Sequence, residues 1–82
     1  MTYFAEIAAL SYEDREIVAQ VMAEAVPLMT DRQRDCLRMY LDGMTQAQVG
    51  ARLGICQRVV SYHIARALGI VRRSATSYVY LP

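Results

Sequence analysis

The sequence predicts an all-α domain of about four to five short helices, and three observations carry that prediction. Helix-starting signatures recur along the chain as SYED at 11–14, TDRQ at 30–33 and TQAQ at 45–48, each a hydroxyl residue followed three places on by an acid or an amide. Between these signatures the apolar residues return every three or four positions, the period of one helix face. Only SYVYLP at 77–82 has a strand-like composition, and one short strand cannot make a sheet alone.

Each element can be argued in turn. A short helix is expected from Tyr3 to Leu10. Ser11 then caps a second one, with Asp14 at the capping-box position and Ile17, Val18, Val21, Met22 and Ala25 along its apolar face. Pro27 disfavours helical geometry in the residue before it, so this helix should end near Ala25. Thr30 caps the next, where Asp31 suits the helix dipole, Gln33 closes the box and Cys36, Leu37, Tyr40 and Leu41 form the buried stripe. Gly43 provides its left-handed end. The third signature opens a helix of barely two turns that stops before Gly54. The last helix starts at Cys56 or Gln57 and is expected to reach Leu68, with Gly69 as its terminator.

A chain of 82 residues allows one compact domain. Its net charge is only +1, but the charge is unevenly placed. Residues 1–26 hold five acids against Arg15, a balance of −4; from Pro27 onward three aspartates face eight arginines, a balance of +5. No acid follows Asp42, while Arg52, Arg58, Arg66, Arg72 and Arg73 all do. A one-signed half of this kind points to a surface that faces a polyanion.

That basic half contains TQAQVGARLGICQRVVSYHIARAL at 45–68, two short helical patterns meeting at a glycine. A helix-turn-helix crosses its helices at ~90–120° through a turn of three or four residues, often with glycine in it. Gly54 supplies the positive φ of that turn. Gly50, inside a helix, loses about 1 kcal/mol relative to alanine, which close approach of the second helix to the first would justify. Val49, Leu53, Ile55, Val60 and Ile64 fill the corner. At about 100° per residue, Val60, Ile64, Ala67 and Leu68 turn inward; Arg58, Tyr62, Ala65 and Arg66 lie opposite, with Ser61 beside them and Gln57 at the helix start. Arginine can take guanine O6 and N7 in a bidentate pair, and glutamine can do the same to adenine. Gln57, Arg58, Ser61 and Tyr62 are therefore the expected base-reading set. Thr45, Gln46, Arg66, Arg72 and Arg73 are the expected backbone contacts, which set register rather than sequence.

The segment LMTDRQRDCLRMYLDGMTQAQVGARLGICQRVVSYHIARAL resembles region 4 of bacterial sigma-70-type factors and the related output domains of quorum-response and two-component regulators. The resemblance runs from Leu28 to Arg73, about half of the chain. It implies a tetrahelical fold and assigns Gln57, Arg58, Ser61 and Tyr62 to DNA contact. The chain departs from the pattern at Cys56, where such domains usually have a Ser or Thr cap. On this reading residues 28–73 form the DNA-binding region, 1–27 a dimerisation or partner-binding part and 74–82 a tail. Nothing resembles the promoter-melting or core-binding regions of a whole sigma factor. The expected protein is a small regulator from a bacterium, phage or mobile element that binds double-stranded DNA, with a homodimer contact between the acidic N-terminal helices and the tail.

Two other readings share the fold. An accessory or decoy factor would bind RNA polymerase in place of DNA, and a phage small terminase subunit would form a ring. An enzyme is not expected: with one histidine, no paired carboxylates on a shared face and no phosphate loop, no catalytic constellation can be assembled. Cys36 and Cys56 are isolated, so neither a metal site nor a cofactor is expected, and both thiols suit a reducing compartment. His63 falls between the two helix faces and suits packing or phosphate contact better than a pH switch. No apolar run approaches the roughly 18 residues of a membrane span. MTYFAEIAAL lacks the basic start of a signal peptide, so the expected location is cytoplasmic.

Overall fold

A computed structural model of the chain describes residues 12–79. These form helix α1 (Tyr12–Ala25), a 3-10 turn (Val26–Leu28), α2 (Asp31–Leu41), α3 (Gln46–Leu53) and α4 (Gln57–Val79), with no strand among the described residues. The expected Tyr3–Leu10 helix, the Ser11 cap and Tyr80 lie outside the described residues. Ser77–Val79, the first half of SYVYLP, are helical rather than extended.

Reciprocal capping boxes start α2 and α3. Thr30 Oγ1 accepts from the Gln33 N–H at 3.1 Å while Gln33 Oε1 accepts from the Thr30 N–H at 3.0 Å. Thr45 and Gln48 repeat the exchange at 3.1 and 2.8 Å. Both helices end on left-handed glycines, Gly43 at φ 103° and Gly54 at φ 71°. After Gly43 the Met44 N–H donates back to Met39 O at 3.1 Å, and after Gly54 the Ile55 N–H donates to Gly50 O at 3.0 Å. These six-to-one bonds occupy carbonyls that a helix end leaves open and turn the following apolar residue back onto the core.

Three expectations need correction. α1 does end at Ala25, but Pro27 does not drive the chain straight into extended backbone: Val26–Leu28 tighten into a 3-10 turn with the proline in its first positions, and the extended backbone comes after it, at Met29 and Thr30. Proline lacks an N–H, and the start of a helical turn is where none is needed. Ile17, placed on the buried face of α1, is 41% exposed; Val21 and Ala25 are buried and Val18 and Met22 half-buried, so cover falls on the half of α1 that packs on the rest of the chain. Gly69 does not terminate α4, which continues ten residues beyond it. Glycine ends a helix when it takes a left-handed conformation, and Gly69 does not. Helical geometry past it keeps Ile70 and Val71 against the core, and that burial outweighs the entropy of one glycine.

The core has two centres. Ala25, Met29, Leu37 and Ala67 join α1, α2 and α4, and Cys36, Val49, Val60 and Ile64 join α2, α3 and α4. Leu68 packs against both, so α4 is the spine on which the other helices are assembled. Burial at Cys36 pushes its thiol up from its ordinary value, Arg32 partly opposing and Asp35 adding to the rise.

Candidate nucleic-acid interface

The buried stripe Val60, Ile64 and Ala67 fixes which side of α4 faces out. On that outer side Gln57, Arg58, Ser61, Tyr62 and Ala65 line one open groove of about 600 Å³, and Gln46 at the start of α3 closes its edge. No acid lines this groove. On α2, Asp31 and Asp35 pair with Arg34 and Arg38 of the same helix. These exposed pairs contribute little stability.

Tyr62 stands 57% exposed at the centre of the outer face. Its ring meets that of His63 edge-on at 5.7 Å, and the Arg66 guanidinium lies over it at 5.6 Å from the centroid. A cation over an aromatic face at this distance is attracted by the ring quadrupole, so the stack orients Arg66 before any ligand arrives. His63 is partly buried, and its Nδ1 is sealed from solvent without a hydrogen-bond partner.

Arg66 and Arg73 line a second groove of about 420 Å³, between α4 and the start of α2, which shares Ala65 with the first. Arg72 is exposed but lines neither groove; its carbonyl accepts from Thr76 Oγ1. Thr45 is exposed, with its hydroxyl oxygen held in the capping box of α3. The structure therefore brings Gln46 into one groove with the four residues of the expected reading set, and places Arg66, stacked on Tyr62, and Arg73 in the other. Thr30 and Gln33, which line the second groove, were not singled out as site residues from the sequence. Their capping signature was visible, but not that it faces α4.

The scaffold of the motif is where the sequence placed it, with one change of reason. Val49 and Val60 are fully buried, Ile64 nearly so, and Leu53 and Ile55 pack against them. At Gly50 the tight neighbour is not the following helix. An added Cβ would stand 2.6 Å from the Ile55 carbonyl oxygen in the turn, whereas Val60 Cγ2 would be in ordinary contact at 3.5 Å.

Residues 27–72 match the family model described as bacterial regulatory proteins, luxR family (GerE). The chain belongs to this family. The match takes in α2, α3 and α4 as far as Arg72, the helices that build both grooves. The chain is a DNA-binding transcription regulator of the luxR helix-turn-helix type. No curated protein and no solved structure matches the chain. Among the described residues, no helix is long and apolar enough to cross a membrane.

Proposed function

We propose that the luxR-type motif of this chain reads duplex DNA with the first half of α4 set in the major groove. The acid-free groove lined by Gln46, Gln57, Arg58, Ser61 and Tyr62, on the side of α4 opposite its buried stripe, carries this reading. In this docking the N-terminal residues of the second helix meet base edges. Arg58 takes a guanine and Gln57 an adenine, while Ser61 and Tyr62 reach a base edge or a phosphate. Thr45, Gln46, Arg66, Arg72 and Arg73 hold the backbone and fix the register. Two copies on paired half-sites suit a module this small, whose single reading helix spans few base pairs. The likeness to sigma region 4 belongs to the same proposal, as a shared way of presenting the reading helix.

The test is selection of bound sequences from random duplexes, followed by a salt titration of the winner. A preferred site should emerge, with log affinity falling linearly in log salt at a slope of roughly −3 to −6 per module. An unenriched pool with salt-independent binding would sink the reading, and a polymerase contact would take its place.

A further inference from the structure

The second groove joins Arg66 and Arg73 to two α2-side residues that have no binding role so far, Thr30 and Gln33. It is walled by Thr30 and Gln33 from α2 and by Arg66 and Arg73 from α4, over a floor that includes Ala65 and Gly69. The capping box uses the acceptor side of both α2 residues: Thr30 Oγ1 accepts from the Gln33 N–H, and Gln33 Oε1 accepts from the Thr30 N–H. Both keep their donors free, the Thr30 hydroxyl proton and the Gln33 amide NH2. Arginine only donates. The acid nearest in sequence, Asp31, does not line the groove and is paired with Arg34. A groove with two positive charges, two further donors and no carboxylate among its described lining residues, beside the apolar Leu28 and Ile70, fits an anion with several acceptor oxygens, and phosphate is that ligand.

Its floor is open as well. Gly69 is a glycine inside a helix, yet an added Cβ would meet nothing within 4 Å. No packing contact among the described residues asks for a glycine there, and its lack of a side chain keeps the groove deep. Position completes the case. Arg73 lies eleven residues beyond Tyr62, roughly 16 Å along the helix axis. A major groove is about 12 Å wide, so a helix reading bases at Tyr62 carries the Arg73 end of this second groove past the edge, where the strand runs.

We infer that the groove between Thr30, Gln33, Arg66 and Arg73 holds the sugar–phosphate backbone flanking the bases read by α4. The inference rests on the DNA reading above and adds α2 to the contact surface. It predicts a footprint longer than the bases that α4 alone can read.

Gln33→Glu is the sharpest variant, because it keeps the capping acceptor and replaces the amide donor with a carboxylate. Arg73→Gln removes one charge on the opposite wall. Both are compared with the wild-type chain on the selected duplex, on the same duplex cut back to the read bases, and on duplexes with single methylphosphonates in the flank. Wild type should lose roughly three- to tenfold on the cut-back duplex and at one or two flank methylphosphonates. Each variant should bind the full duplex that much more weakly, melt within a few degrees of wild type, and show no further loss at those positions. Variants as tight as wild type on the full duplex would overturn the groove and leave the DNA reading standing. So would a melting shift with inorganic phosphate together with flank modifications that change nothing, since the groove would then hold a free anion. A wild-type chain that selects no duplex overturns both.

Discussion

Ile55 meets Gly50 twice: its N–H donates to the Gly50 carbonyl at 3.0 Å, and its own carbonyl oxygen stands 2.6 Å from where a Gly50 Cβ would lie. The turn of the motif folds back over the helix it has just left. This contact, more than any approach of α4, demands glycine in the interior of α3.

Gly50→Ala should therefore destabilise the fold by about 1–3 kcal/mol, the usual range for forcing extra volume into a packed site. Helix propensity works the other way by about 1 kcal/mol and should be overwhelmed, because the obstacle is backbone and cannot rotate away. Gly50→Leu should cost more. Urea unfolding measures both, and an alanine variant as stable as wild type would show that the turn has room to move.

Gly69→Ala should have the opposite sign. No atom lies within 4 Å of the added methyl and the backbone is right-handed, so propensity acts alone. A gain of about 0.5–1 kcal/mol is expected in the same titration. A loss would mean that α4 bends at Gly69 in solution.

These two glycines also show how far the sequence could be read. Gly43 and Gly54 were legible as helix ends because each comes within two residues of the last apolar residue of its period, and Gly43 also precedes a new capping signature. Gly69 has the same local appearance after Leu68 and is not an end. The difference lies in Ile70 and Val71, whose partners Ala25, Met29 and Leu37 are more than thirty residues away in sequence. Local pattern fixes where helices begin, because capping bonds span three residues; it does not fix where a buried helix stops. That Gln57, Arg58, Ser61 and Tyr62 share an outer face was legible for the same local reason, since they lie on one face of one helix. The second groove was not, because it exists only where the start of α2 meets the second half of α4.

The two thiols should separate cleanly. Cys36 is buried and Cys56 exposed, so native protein should react with one equivalent of a thiol reagent and take up the second only in denaturant. Because burial raises the folded thiol of Cys36 above its ordinary value of 9.0, its contribution to stability is complete below that pH. It fades as pH rises past 9.0, since the unfolded chain loses the proton first. Replacing Cys36 with alanine should remove that part of the alkaline loss in a stability–pH profile. Rapid labelling of both thiols in native buffer would contradict the burial.

The last prediction separates reading from holding. Arg58 and Arg66 carry the same charge on the same helix, and a purely electrostatic view expects equal losses when each becomes alanine. Their surroundings differ. Arg58 lines the first groove beside Gln57 and Ser61, in the first turn of α4; Arg66 lies over the Tyr62 ring, two turns on, and lines the second groove. Arg58→Ala should lose about 1–3 kcal/mol on the preferred site and relax the preference at one base pair. Arg66→Ala should weaken all sequences alike and reduce the salt slope by about one. The measurement is a paired titration of each variant on the preferred site and on scrambled DNA across a range of salt. Equal losses on both duplexes for both variants would mean that α4 lies on the DNA surface without entering the groove, even though the chain binds.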